Sequence, residues 1–165
     1  MNSKNKGNTF ERKIANLFSK RFASITGIEK SFRRSQDSGS FFGGSQKSRM
    51  VTHDLDKANF GDIVCPVKFM YNIECKHYKT PPNCFNLIDG NIREWDSWIA
   101  QASRDCRNAG KKMVIIIKYN NMKEFVILDE LPNITCAVRY KSNFVVPLDT
   151  FLSIPDEAFF DCDVT

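Results

Sequence analysis

The sequence contains no run of about 18 apolar residues, so no helix is expected to cross a membrane. Its opening residues, MNSKNKGNTFERK, are polar and basic with no apolar stretch of the kind a secretory signal needs. An intracellular, cytoplasmic protein is therefore expected. Six cysteines are present, at positions 65, 75, 84, 106, 136 and 162, but no two of them form a C-x-x-C pair. Histidine is scarce: His53 and His77 are the only two, and neither forms a ligand-spaced cluster with the cysteines. A structural zinc site is thereby disfavoured. Cys65 and Cys75 lie inside apolar, strand-like runs, where cysteine behaves as a small hydrophobe, and all six are read as reduced thiols. No internal repeat and no linker-like composition break divides the 165 residues, a length that fits one domain with its own core.

What is present is uneven. Residues 1–50 hold 11 Lys/Arg against 3 Asp/Glu, and residues 51–165 hold 13 against 16. The last 15 residues carry four acids and no base. A basic half suggests a polyanionic partner, although a solvated basic surface would have the same composition. NTFERKIANLFSKRF predicts a first helix, with Phe10, Ile14, Leu17 and Phe18 at helical spacing and Asn8 as its cap. Next come a short strand in KSFRRS and a long Ser/Gly-rich basic loop over 33–59. Two strands, Phe60–Val67 and Phe69–Tyr78, read as a hairpin-like pair that the prolines of KTPPNCF bring to an end. NIREWDSWIAQASRDCRNAG predicts a second helix, with Ile92, Trp95, Ile99, Ala102 and Cys106 as its stripe and Gly110 as its stop. KMVIIIKY reads as a strand buried on both faces, and EFVIL as another. The order is α, β, β, β, α, β, β. It predicts a single α/β domain, with a central mixed sheet flanked by helices, a core of about 6–130 and an acidic tail.

Charged residues sit in unusual places in the central pair. Strands disfavour Asp, Glu and Lys, yet GDIV begins with Asp62, and IECK sets Glu74 and Lys76 around Cys75. Side chains alternate along a strand, so Glu74 and Lys76 share a face, roughly 7 Å apart. Asp62, on the neighbouring strand, can come beside them. A solvated cross-strand ion pair would account for such a pattern and would contribute only about 0–1 kcal/mol. The large apolar neighbours point instead to partly buried charge, which needs a compensating partner. Asp62, Glu74 and the Cys75 carbonyl are the hard oxygen donors that Mg²⁺ takes. Lys76 could orient or help deprotonate an attacking water if burial lowered its pKa.

Gly61-Asp62 followed by Glu74-Cys75-Lys76 resembles the PD-(D/E)XK nuclease superfamily, with Gly61 where that family has its first proline. Residues 6–118 look most like the archaeal-type Holliday junction resolvases and their viral relatives. KGNTFERKIANLF, RRSQDSGS, GDIV, IECK and KMVIIIKY carry this likeness in order. The resemblance implies a restriction-endonuclease-like fold and a metal-dependent endonuclease acting on four-way junctions or other branched DNA. It implies Mg²⁺, with Mn²⁺ as a substitute, and a homodimer. It also implies Glu11, Asp62, Glu74 and Lys76 as the catalytic set, with Glu11 on the first helix as a further metal ligand. For Glu11 a capping-box role is the alternative. The resemblance further implies a loop serine near the site, either Ser38 or Ser40. Lys6, Arg33, Arg34, Lys47, Arg49 and Lys79 are candidate phosphate contacts, which would position DNA without reading its sequence. Gln101 falls away from the apolar stripe of its helix, and His77 points away from Lys76, so surface and packing roles are expected for them. Phe41 and Phe42 read either as a base-stacking wedge or as loop anchors. A restriction- or repair-type nuclease, and a non-catalytic DNA-binding protein on the same fold, are the alternatives.

Overall fold

A computed structural model describes residues 3–35, 61–135 and 137–161. Ser38, Ser40, Phe41, Phe42, Lys47, Arg49 and His53, together with Cys136 and Cys162, lie outside the described residues. Among those described, no helix is long and apolar enough to cross a membrane.

The first helix, α1, runs over Ser3–Arg21. It starts five residues before Asn8, so Asn8 is an interior helical residue and not its cap. Glu11 therefore lies in the body of the helix, which removes the capping-box reading. Phe10, Ile14 and Phe18 are buried as their spacing predicts, whereas Leu17 is exposed. A short α2 (Ala23–Thr26) ends at Gly27, whose φ of 62° is the left-handed conformation that glycine adopts without strain. Ser19 then fixes the return of the chain: its hydroxyl donates to the Phe32 carbonyl at 3.1 Å and accepts the Phe32 N–H at 3.0 Å. This bond pair sets the position of the two residues that follow, β1 (Arg33–Arg34).

β2 (Ile63–Val64) pairs antiparallel with β1, Arg33 opposite Val64 and Arg34 opposite Ile63. The expected hairpin between β2 and the next strand is thus corrected, because the ladder of β2 goes to β1. β3 (Tyr71–Tyr78) instead forms one edge of a five-stranded sheet. The prolines of the next loop end β3, and Asn83 caps a short α3 (Cys84–Ile88) by accepting the Phe85 N–H at 3.0 Å. α4 (Arg93–Ala109) follows and stops at Gly110, φ 64°. It leads to β4 (Lys112–Tyr119), parallel to β3, with Glu74 opposite Ile115 and Lys76 opposite Ile117. β5 (Phe125–Leu128), β6 (Val138–Tyr140) and β7 (Asn143–Pro147) add antiparallel strands, giving the order β3-β4-β5-β7-β6. The sheet is mixed and lies between helices, the single-domain, restriction-endonuclease-like α/β architecture expected.

One face of the sheet packs on α1. Phe18, Phe22, Phe32, Phe69 and Tyr71 meet there with Phe151, from α5 (Leu148–Leu152), and Phe159. The other face packs on α4 through Trp95, Trp98, Ala102, Met113, Ile115 and Ile117. Met113 through Ile117 are all fully buried, as expected of a strand covered on both sides. The core continues beyond residue 130. Phe151 and Phe159 are wholly buried, and the Phe159 carbonyl accepts the Met70 N–H at 2.8 Å. The segment after 130 is thus part of the core up to Phe159. Cys65, Cys75, Cys84 and Cys106 are free thiols, as expected.

Candidate active site

The free edge of β3 is where the charges collect. The chain entering β2 is pressed against it: a Cβ on Gly61 would lie 2.4 Å from the Ile73 carbonyl oxygen, so this position admits only glycine without displacement. The next residue, Asp62, is locked on three sides. Its N–H donates to the Ile73 carbonyl at 2.9 Å, and its carbonyl accepts the Ser35 N–H at 2.9 Å. Its carboxylate Oδ2 accepts the Cys75 N–H at 2.8 Å. Asp62 therefore reaches β3 midway between Glu74 and Lys76, the position the sequence predicted, although by main-chain contact rather than a hairpin ladder.

Glu74 is 4% exposed. Its Oε2 accepts from the Lys76 ammonium at 3.1 Å, so the two charges on this face of β3 are joined. Burial first, and then the charge of Asp62, push the Glu74 carboxyl up to about 8, although Lys76 pulls it back. Burial alone would lower the Lys76 ammonium, but Glu74 and Asp62 together hold it above its ordinary value. This overturns the expectation that desolvation turns Lys76 into a base: in this arrangement it stays a cation. The Cys75 thiol is held well above its usual range by burial and by Asp62, so it stays protonated and inert.

Glu11 comes to the same place from α1, 8% exposed. Burial and then Asp62 raise its pKa, against the opposing pull of Arg34 and Lys76. Its Oε2 accepts from Arg34 Nε at 2.5 Å, and Arg34 Nη2 donates to Asn8 Oδ1 at 2.9 Å. Asn8 stands three residues before Glu11 on the same side of α1, the spacing at which helical side chains can share a partner. Sequence reasoning missed Asn8, having read it as a cap, and that i, i+3 spacing was the signal available. Arg34, expected at the DNA, turns inward onto Glu11.

The other candidates divide. Arg33 and Lys79 are exposed, Lys6 is half-buried on α1, and Gln101 is exposed on α4. His77 lies away from Lys76, its Nε2 3.2 Å from Asn120 Oδ1 and its ring packed against Phe10. It is a packing residue, as its place in the alternation predicts.

Among the described residues no three His, Cys, Asp or Glu side chains converge into a ready-made metal cage. The donor set nonetheless fits a hard cation. Mg²⁺ needs only one or two carboxylates and keeps several waters. Here the half-buried Asp62 and the buried Glu74 lie close enough for Glu74 to retain a proton, a conflict that a divalent cation would relieve.

Comparison with protein families matches residues 2–159 to the family described as "Phage putative PDDEXK endonuclease". The chain belongs to this family. The match spans α1, both short strands, the whole sheet and α5, so membership of the PD-(D/E)XK endonuclease family covers the scaffold and not only the Glu-x-Lys strand. The activity that the family's description names is that of an endonuclease. No curated protein and no solved structure gives a match.

Proposed function

We propose that this PD-(D/E)XK protein is a metal-dependent endodeoxyribonuclease that hydrolyses phosphodiesters in branched DNA, with the four-way junction as its preferred form. The observation that carries the nuclease mechanism is the Asp62 carboxylate bonded to the Cys75 N–H beside the Glu74–Lys76 pair. A buried acid, Glu74, set against a repelling half-buried one, Asp62, next to a held ammonium has little value to stability and an evident one to phosphate chemistry. Asp62, Glu74 and the Cys75 carbonyl would hold Mg²⁺, or Mn²⁺ in its place, and Glu11 would join them on releasing Arg34. The ion, when bound, supplies charge stabilisation at the phosphate and a more acidic water. Lys76, kept cationic by its two acidic neighbours, stabilises charge that develops on the phosphate oxygens. The basic residues of the first 50 positions, among them Lys6, Arg33, Lys47 and Arg49, together with Lys79 after β3, supply phosphate contacts that position the strand. The likeness of residues 6–118 to junction resolvases supports the branched substrate and a two-fold dimer, since a junction offers two symmetric strands.

The test is cleavage of matched duplex, single-stranded and four-way junction DNA, with Mg²⁺ and with EDTA. Metal-dependent cutting with the junction cut fastest is expected. Cutting that persists in EDTA would remove the metal mechanism. No cutting of any DNA, with binding intact, would leave the non-catalytic reading.

A further inference from the structure

α1 and β1 leave a groove between them of about 210 Å³. Arg12, Lys30, Arg33 and Arg34 line it, with Asn16 and Phe32 among its other walls. Arg12, Lys30 and Arg33 are exposed, and among the described residues none of the three makes an ion pair. Among the described residues no carboxylate lines the groove. Arg34 belongs both to the groove wall and to the Glu11 pair, so the groove abuts the catalytic carboxylates.

Arg34 is held by Glu11, but Arg12, Lys30 and Arg33, gathered at one cavity with no ion pair among the described residues, repel one another, and a bound anion relieves that repulsion. A single phosphate group carries about two charges at most near neutral pH, too few to match cations coming from a helix, a strand and the loop between them. A phosphodiester chain brings one charge per nucleotide and can run past all three. We propose that this groove is a second backbone-phosphate site, holding the DNA strand beside the scissile phosphate, with Arg12 and Lys30 as contact residues. The inference rests on the DNA nuclease reading and adds two residues and a path over α1 to it.

The experiment measures binding of a fluorescein-labelled duplex in EDTA across a series of salt concentrations. It compares wild type, R12A/K30A, the charge-retaining R12K/K30R, and R104A/R107A. The last pair is exposed on α4, which packs on the opposite face of the sheet. Losing two phosphate contacts should reduce the slope of log K against log salt by about 1.8. Weaker binding of every sequence should accompany the change. R12K/K30R should keep the wild-type slope, and R104A/R107A should not alter it. An R12A/K30A slope equal to that of wild type overturns the groove. A wild type that does not bind duplex overturns the DNA reading itself, a distinct outcome. Inorganic phosphate is the second probe. If it protects wild type but not R12A/K30A against thermal unfolding, while the DNA slope is unchanged, the groove is a small-anion site and the proposal falls.

Discussion

At the scale of single residues the site is a contest between burial and charge. Glu74 is the most costly group in it, enclosed by the protein and facing Asp62. Asp62→Asn and Glu74→Gln should each abolish cleavage, because a neutral amide keeps the shape of the acid and loses the charge that would hold the ion. DNA binding should survive or tighten, since a charge that repels phosphate is gone. Near-normal turnover of either variant at saturating Mg²⁺ would sink the assignment. Lys76→Ala should lose about 3 kcal/mol of transition-state stabilisation, roughly 100-fold in rate, and retain metal binding by calorimetry. The raised Glu74 pKa carries its own signature. Its folded value lies above its unfolded one, so the stability it contributes is complete below about pH 4.5 and is lost as pH rises toward 8. Glu74→Gln should therefore raise the melting temperature of the metal-free protein more at pH 8 than at pH 5. In wild type at pH 6.5, metal binding must expel the Glu74 proton. Titration calorimetry in buffers of different ionisation enthalpy should then show proton release that fades above pH 9. Release of no proton at pH 6.5 would mean that Glu74 is already ionised.

At the scale of elements the site depends on a close approach. Gly61 lets the segment before β2 touch β3, and this contact, not a ladder, presents Asp62. Gly61→Ala forces a methyl group to within 2.4 Å of a backbone oxygen. It should cost about 1–3 kcal/mol by denaturant unfolding and should lower activity far more than stability, because Asp62 moves with its backbone. Equal activity in the variant would show that Asp62 is placed by something else. How much could be read without coordinates follows from the same elements. Glu74 and Lys76 were legible because the two-residue period of a strand settles which side chains share a face, and α1 and α4 because their apolar stripes are long. The inward turn of Arg34 was not legible. It depends on a two-residue pairing, Arg34 opposite Ile63, between segments 29 positions apart, and two residues carry no period. β6, β7 and α5 were missed for a related reason. They are three to five residues long, and their hairpin turns through Lys141 at φ 55° without the glycine or asparagine that usually marks such a position. The expectation for Lys76 fails because burial was weighed above the attraction of the two carboxylates beside it, and in the fold Glu74 and Asp62 outweigh burial.

At the scale of the whole molecule, charge and shape are arranged around one edge. The excess of base lies in the first 50 residues. Part of it, Arg12, Lys30, Arg33 and Arg34, gathers beside Glu11 on the side of the sheet that holds α1. If the proposed site is catalytic, a nuclease with its cations on one side of that edge should bind any DNA by its phosphates, with an affinity that fades as salt rises. Preference for a branch needs something further. Two copies related by a two-fold axis would present two catalytic edges to two strands of like polarity, an arrangement that a four-way junction satisfies and a linear duplex does not. Junction affinity should therefore fall less steeply with salt than duplex affinity, because contacts that depend on shape add to those that depend on charge. The measurement is competition between a four-way junction and a duplex of the same sequence at about physiological ionic strength, with Ca²⁺ replacing Mg²⁺ to hold the complex uncut. Restoring Mg²⁺ should then give paired nicks, placed symmetrically about the branch point. Sedimentation of the protein alone should give twice the chain mass. Equal affinity for the two DNAs, with nicks falling independently on the two strands, would leave a PD-(D/E)XK nuclease with its metal chemistry intact and remove the junction as its substrate.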